Sequence, residues 1–198
     1  LTDHRPLPVP SQMRRTFLAI PIIIVLALAT LLRSAPADAG SAAEIDAGAR
    51  TALEHLYAKN AVARSLSETA VGVLIFPDVV KGGFLVGGQF GEGVLLKGDA
   101  ATGYYRTIAA SYGLQAGAQS FGYALLFMNE AALGYLDKSD GWEIGVGPTL
   151  VVMDEGRAGS VSTTTAKDDI YAFFFDQKGL MAGLGVQGSK ITRFTPDP

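Results

Sequence analysis

The sequence predicts an α+β domain: N-terminal helices packed on a curved, mainly antiparallel, glycine-rich sheet or partial barrel with one short inserted helix. Three observations lead to this prediction. Apolar residues recur at helical spacing over residues 42–59. From Ala70 onward the apolar runs are short, rich in β-branched and aromatic residues, and separated by turn residues. All 24 glycines follow residue 39, which favours tight turns, bulges and closely packed strands.

The N-terminal segment has the pattern of an export signal. Residues 1–12 precede the first methionine, contain three prolines and no apolar period, and are set aside as upstream sequence. Two arginines then introduce an apolar run over residues 17–32, and Ala37-Asp38-Ala39 offers the small residues that a signal peptidase reads. We therefore expect a signal peptide at 13–39, cleavage before Gly40, and a single domain at 40–198.

Two alternatives remain for this segment. A membrane anchor needs about 20 apolar residues, whereas this run is shorter and contains Pro21. The sequence Arg14-Arg15-Thr16-Phe17-Leu18 resembles a twin-arginine motif, although the long apolar run is more typical of the general secretory route. Each alternative predicts export to the periplasm or outside the cell, where peripheral membrane association is expected.

Composition excludes several classes of function. Residues 40–198 are one domain's length. The chain has no cysteine, which excludes disulfides, thiol catalysis and thiolate metal sites. Residues 40–198 carry 12 Lys and Arg against 17 Asp and Glu, a net charge of −5. Nucleic acid is therefore not expected as a partner, because its binding draws on clustered positive charge.

The elements follow in order along the domain. A helix is predicted over 42–59, with Ile45, Ala49, Ala52, Leu53 and Leu56 in one apolar stripe, and a short second helix over 61–69 with Val62 and Leu66 inward. A later short helix is predicted after the N-cap Asn129. Strands are predicted at 71–76 (closed by Pro77-Asp78), 84–96 (a bent strand or a tight hairpin), 104–108, 112–128 (two strands or one long bulged strand), 142–153 (interrupted by Pro148), 161–165, 170–175 and 180–187. The last two are joined through 176–179.

No catalytic, cofactor or metal site is predicted. His55, the one histidine after residue 39, lies on the polar face of the first helix, and nothing marks a serine and aspartate partner for it. Gly145-Val146-Gly147 lacks the spacing of a phosphate loop and is interpreted as part of a bent strand. The acidic pairs Asp154-Glu155 and Asp168-Asp169 are interpreted as turn charges, with a weak calcium site as the alternative.

Two features of the strand region carry charge. Glu92 lies among apolar residues, and Lys81 and Lys97 are its expected ion-pair partners if it does not face solvent. Lys81-Gly82-Gly83-Phe84 is predicted to form a turn or bulge. Its glycine N–H groups would then form a nest that, with the lysine, binds phosphate or carboxylate. The alternative is a bulge with an exposed lysine.

Several glycine-rich segments, in this order and spacing, resemble the SYLF domain family from about residue 44 to 193. They are Gly72-Val73-Leu74-Ile75-Phe76-Pro77, Lys81-Gly82-Gly83-Phe84 continuing to Gly91-Glu92-Gly93, Gly113-Leu114-Gln115-Ala116-Gly117-Ala118-Gln119, Leu126-Phe127-Met128-Asn129, Gly145-Val146-Gly147-Pro148 and Lys178-Gly179-Leu180-Met181-Ala182-Gly183.

The resemblance implies a non-catalytic domain that binds anionic lipid and, in fungal members, actin. In eukaryotic relatives a basic N-terminal helix contributes to the membrane contact. The matching segment here holds Arg50, Lys59 and Arg64 but also four acidic residues, so it is not a polybasic helix. An acid that often follows the Gly-Ala-Gln segment in the family is absent, since Ser120-Phe121-Gly122 stands there.

Two hypotheses follow. In the first, the domain binds anionic phospholipid weakly at a membrane surface. An apolar helix face or the Phe84 loop enters the interface, and the headgroups meet Lys81, Arg50, Lys59 and Arg64. In the second, it is a structural or protein-interaction module of the cell envelope, and the first helix docks a protein partner.

Overall fold

The computed structural model describes residues 40–138, 140–153, 167–179 and 188–197. Within these ranges the side chains of 84–86 and 111–116 are not described. The predicted strands at 161–165 and 180–187, the acidic pair Asp154-Glu155 and the expected signal segment 13–39 all lie outside the described residues.

Two helices open the fold, as predicted. Helix α1 (Ala42–Lys59) begins at Ser41, whose hydroxyl accepts from the Glu44 N–H while the Glu44 carboxylate accepts from the Ser41 N–H, a complete capping box. Asn60 ends α1 and caps helix α2 (Ala61–Ser67) by accepting from the Ala63 N–H at 2.9 Å. In the predicted stripe four residues are buried and Leu53 is partly buried; in α2, Leu66 is buried and Val62 half-buried.

One long hairpin forms most of the sheet. Strand β1 (Gly72–Lys97) pairs antiparallel with strand β2 (Ala100–Phe127) over its whole length, and a two-residue loop joins them. The predictions that 71–76 and 84–96 are separate strands, and likewise 104–108 and 112–128, are therefore wrong. The alternative of one long bulged strand over 112–128 is confirmed within β2. Pro77-Asp78 does not end β1 but occupies a shift of register between Phe76 and Val79, because a bulge accommodates a proline without an amide hydrogen.

The remaining elements complete a six-stranded sheet in the described part of the chain. After Asn129, whose side chain caps it as predicted, come helix α3 (Glu130–Leu133) and a 3₁₀ turn (Gly134–Asp137). The sheet order is β3-β6-β2-β5-β4, with β1 also paired to β2 and only β4 and β5 parallel among these pairs. The strands are β3 (Trp142–Glu143), β4 (Leu150–Met153), β5 (Ile170–Gly179) and β6 (Lys190–Phe194).

The structure corrects two further predictions. The strand predicted over 142–153 is interrupted at Pro148 as expected, but the break begins earlier, because Gly145 and Gly147 have φ of 100° and 96° and form a turn ahead of the proline. The interpretation of those glycines as part of a bent strand is wrong. Residues 176–179 belong to β5 and do not form a hairpin connection.

The long hairpin curls, so that the two halves of β1 meet. A Cβ at Gly91 would lie 2.6 Å from Val79 Cγ2 and 3.1 Å from the Asp78 carbonyl oxygen. The curled sheet has a buried cluster on each face. One, around Trp142 and Tyr105, lies within the curl; the other joins the sheet to the two N-terminal helices. In the described part of the chain the architecture is α+β and mostly sheet, with three short helices.

Candidate functional site

The curl leaves the middle of the long hairpin projecting from the domain. We call this part, residues 80–90 of β1 and 108–120 of β2, the hairpin bend. Near its centre the register shifts between Phe84 and Val86 on β1, where the facing strand moves from Ala116 to Tyr112. The extra residues on β2 make a bulge, which bends a paired strand. The bend is therefore built by the bulge and not by a break in the sheet.

A row of three residues crosses one flank of the bend. Val80 on β1 is the partner of Ser120 on β2, which is in turn the partner of Lys178 on β5. Partners across antiparallel strands project to the same face. Val79 is buried within the curl, so Val80 projects to the opposite face, where its exposed fraction is 55%. Lys178 at the end of this row is exposed.

A second row crosses the other flank with the same order of residue types. Phe90 on β1 is the partner of Ile108 on β2, which is the partner of Lys190 on β6. Phe90 projects to the face on which Val94 packs against the helices. The helices do not cover it, and Phe90 and Ile108 are 43% and 49% exposed. Lys190 is exposed.

The two rows make the hairpin bend apolar with lysines at its margins. Of the five large apolar side chains exposed in the described ranges, three are Val80, Phe90 and Ile108. Among the side chains described between the rows, the exposed ones are small: Gly88, Ala110, Gly117 and Ala118. An exposed apolar patch with a polar margin is typical of an interaction site with a membrane or a protein.

Lys81, Gly82 and Gly83 lie on the hairpin bend, but not in the predicted turn. They are strand residues, half-buried, and are paired in register with Gln119, Ala118 and Gly117. A nest needs consecutive residues that alternate between right- and left-handed φ, and neither Gly82 nor Gly83 has a positive φ. The predicted nest is therefore wrong, because the strand pairing uses this backbone. The side chain of Phe84 is outside the described residues.

The three basic residues of the helices lie apart from Lys81. Arg50 Nη2 donates to the Asp99 carbonyl oxygen at 2.7 Å. Lys59 Nζ lies 3.0 Å from Asp176 Oδ1. Arg64 is exposed on α2. Arg50 and Lys59 contact different partners, Asp99 and Asp176, while Lys81 lies on β1 opposite Gln119, so the described contacts do not assemble the four basic residues into one site.

Asp176 connects α1 to β5. Its carboxylate accepts from Lys59, and His55 Nδ1 lies 3.7 Å from Asp176 Oδ2. The hydrogen bond from Lys59 is the main cause that lowers the pKa of Asp176, and the charge of Lys59 and His55 adds to it. His55 thus has an acidic neighbour, which is a surface ion-pair geometry and provides no nucleophile.

Glu92 pairs with neither predicted lysine. Arg106 Nε lies 2.8 Å from Glu92 Oε1, and the Gly40 N–H donates to Glu92 Oε2 at 3.0 Å. The Glu92 side chain is only 13% exposed. Lys97 instead lies 3.5 Å from Glu130. Sequence reasoning missed Arg106 because its position opposite Glu92 follows from the register of the β1–β2 hairpin.

Asp169 makes structural contacts. Its carboxylate accepts from the Thr149 N–H at 2.9 Å, the Thr149 hydroxyl at 3.0 Å and Asn129 Nδ2 at 2.8 Å. These bonds, the first from the Thr149 backbone, lower the pKa of Asp169. Asp169 therefore ties the cap of α3 to the start of β4, and the interpretation of it as a solvated turn charge is wrong.

The described ranges contain no group of three or more His, Cys, Asp or Glu side chains arranged to hold a metal ion. Among the same residues, no helix combines the length and apolar character needed to cross a membrane.

The residues of the two rows were not identified from the sequence. Lys178 stands in a segment that carries the family resemblance but was given no binding role, and Lys190 stands in no motif; only strand pairing places them beside apolar residues far away in sequence. The sequence does contain one signal for the bend: residues 82–96 and 107–129 have few charged side chains and are rich in glycine and alanine.

The comparison with known families bears on the second part of the chain. Residues 108–195 match the family model described as Ysc84, Las17-binding protein actin regulator. The matched range begins at Ile108 of β2 and extends to the residue after β6; the N-terminal helices and β1 lie before it. No curated protein matches the chain.

Proposed function

Because residues 108–195 belong to the SYLF (Ysc84) domain family, we propose that this protein is a non-catalytic binding domain whose hairpin bend binds the surface of an anionic phospholipid membrane. Export places the domain in the periplasm or outside the cell. The observation that supports this function is the pair of rows, in which exposed apolar residues on β1 and β2 have lysines beside them on β5 and β6.

The chemistry of the bend suits a membrane interface. Phe90, Ile108 and Val80 offer apolar surface, and burial of such surface in the interface contributes roughly 25 cal/mol per Å². Lys178 and Lys190 have long stems that reach headgroups while the strands stay in place. A basic residue near an anionic surface contributes about 1 kcal/mol, so two or three lysines give weak, salt-sensitive binding.

Net charge explains why a local site is needed. The domain from Gly40 carries a net charge of −5, so bulk electrostatics repel it from an anionic surface. Binding therefore requires an orientation in which the lysine-bordered bend faces the membrane. The basic helix residues support such an orientation less well, since Arg50 and Lys59 already have partners within the domain.

The test is co-sedimentation of the chain from Gly40 with vesicles that are either purely zwitterionic or contain anionic lipid, at low and high salt. We expect binding to the anionic vesicles alone, and loss of that binding at high salt. Lys178→Glu with Lys190→Glu is expected to weaken it by tenfold or more, because about 2 kcal/mol of attraction is removed and repulsion added.

A matched control separates the bend from the helices. Arg50→Glu with Arg64→Glu changes the net charge by the same amount on α1 and α2, and is expected to weaken binding much less. If this pair abolishes binding and the lysine pair does not, the helices and not the bend form the site. If no vesicle binds at low salt, the lipid proposal is wrong.

A protein partner is the second candidate, and the family description favours it because it names a binding partner and a regulator of actin. In that case the bend, whose exposed apolar residues suit protein contacts as well, is the docking surface. Envelope proteins retained by the wild-type domain, but not by Phe90→Ser, support this candidate when vesicles fail to bind.

A further inference from the structure

The structure places the expected first residue of the exported protein beside a nearly buried carboxylate. The Gly40 nitrogen donates to Glu92 Oε2 at 3.0 Å, and the other oxygen of Glu92 is 2.8 Å from Arg106 Nε. Each oxygen of the carboxylate therefore has its own donor. Gly40 is also the residue before which the sequence predicts cleavage.

We infer that hydrolysis of the Ala39–Gly40 bond creates an α-ammonium group that forms an ion pair with Glu92 and fixes the new N-terminus on the sheet. Water adds across the amide bond in the step catalysed by a signal peptidase. Ala39 leaves with the new carboxylate, and Gly40 keeps the nitrogen, which takes up a proton. The inference rests on the proposed export but is independent of lipid binding.

The local structure already holds this nitrogen in place. Ser41, the next residue, caps α1, forms a bridge with Asp197 and donates its own N–H to Glu44. A Cβ at Gly40 would lie 3.3 Å from Ile45 Cγ1 and 3.6 Å from Glu92 Oε2, so the absence of a side chain lets the nitrogen approach the carboxylate.

Charge favours the cation at this position. In the precursor, the amide of Gly40 gives Glu92 one neutral hydrogen bond; after cleavage the same atom carries a full positive charge. Hydrogen bonds between charged partners are about twice as strong as neutral ones. The positive charge of Arg106 already balances the negative charge of Glu92. Three further carboxylates lie on the elements around this end of α1 and also favour a cation there. They belong to Glu44, Asp46 and Asp197.

The experiment uses the full chain, produced in an exporting bacterium and purified after processing. Intact mass gives the first residue, expected to be Gly40. The pKa of its α-amino group is then measured from the pH dependence of its acetylation rate. An ordinary α-amino group has a pKa of about 7.7 to 8.0. We expect the pKa in the folded protein to be higher by about one unit, a tenfold change in the proton dissociation constant.

Two variants make the result specific. Glu92→Gln is expected to return the pKa of the α-amino group to its ordinary range. Arg106→Gln keeps Glu92 and removes its other cation, and is expected to leave that pKa raised or raise it further. Thermal unfolding of the processed wild type provides a second measurement. The free N-terminus should be more stable than the acetylated one at pH 7, and this advantage should disappear as the pH rises through the raised pKa.

Three results overturn the inference. One is a first residue other than Gly40, including an unprocessed chain. Another is an α-amino pKa that is the same in wild type and in Glu92→Gln. The third is an equal unfolding temperature for free and acetylated protein across the pH range. None of these results depends on vesicles, so a failure of this inference can be distinguished from a failure of the proposed lipid binding.

Discussion

Gly93 lies against the backbone of Ile75 so closely that a Cβ at position 93 would overlap the Ile75 carbonyl oxygen. The two residues belong to the same strand, β1, and meet because the long hairpin curls. Gly93 has no positive φ, so the requirement for glycine here comes from contact and not from backbone conformation. The contact fixes the curl that projects the hairpin bend.

Gly93→Ala is therefore expected to destabilise the domain by about 1–3 kcal/mol, the usual cost of forcing atoms into a packed interior. Urea unfolding measures this change. The matched control is Gly134→Ala, because a methyl group at Gly134 would have no atom within 4 Å and the residue has a helical φ of −61°. Equal unfolding midpoints for the two variants would show that the halves of β1 separate at little cost.

The helices were predictable because their signals are local. Ser41 and Glu44 form the capping box. Asn60 and Asn129 cap the next two helices, and the side chain of each accepts a hydrogen bond from the backbone N–H three residues later. The apolar stripe of α1 needs only a period of 3.6 residues. Such features depend on neighbours in sequence, and the structure confirms them.

The two long strands were not predictable in this way. Glycines and Pro77 look like strand ends in a sequence, whereas here they permit bulges and close contact within one continuous strand. Gly82 and Gly83 were interpreted as a turn for the same reason. Whether a glycine ends a strand or lets another backbone approach depends on residues far away in sequence, which local patterns do not contain.

The candidate site was only partly predictable. Lys81 was identified from its glycine neighbours and does lie on the hairpin bend. Lys178 and Lys190 come beside the bend through strand pairs that join residues 58 and 82 positions apart, Ser120 with Lys178 and Ile108 with Lys190. Register of this kind is set by tertiary packing.

Asp169→Asn is expected to destabilise the domain at pH 7 by about 1–2 kcal/mol, because one amide oxygen replaces a carboxylate that accepts from both Thr149 and Asn129. The folded pKa of Asp169 is lowered, so this stabilisation is fully present above the ordinary value of 3.8 and is lost as the pH falls through the lowered pKa. Urea unfolding at pH 7 and in acid measures it.

The control for this prediction is Asp78→Asn, since Asp78 is exposed and takes no part in the contacts among Asp169, Asn129 and Thr149. Its unfolding midpoint should match wild type at pH 7. A difference between wild type and Asp169→Asn that stays constant into acid would contradict the carboxylate as the source of the stabilisation.

Lys59→Gln is expected to raise the pKa of Asp176 toward its ordinary value, because the hydrogen bond from Lys59 is the main cause of the lowered pKa. The cost in stability should be at most about 1 kcal/mol and should shrink with salt, since the Lys59 side chain is 70% exposed. Carboxylate titration by NMR measures the pKa. An unchanged pKa of Asp176 would mean that Lys59 and Asp176 do not stay paired in solution. Arg64→Gln, on the neighbouring helix, is the control.

Phe90→Ser is expected to weaken binding to anionic vesicles severalfold. The free energy of unfolding should stay within about 0.5 kcal/mol of wild type, because Phe90 is 43% exposed. The loss should persist at low salt, where the lysines still attract the surface, since the apolar contribution does not depend on ionic strength in that range. Co-sedimentation over a series of lipid concentrations measures it.

Val146→Ser is the matched control: Val146 is 57% exposed but lies in the turn between β3 and β4, outside the hairpin bend. If both variants bind as wild type does, the apolar residues of the bend do not enter the membrane, and the lysines alone account for any attraction. If both weaken binding equally, the effect comes from a general loss of exposed apolar area, and the hairpin bend is not the site.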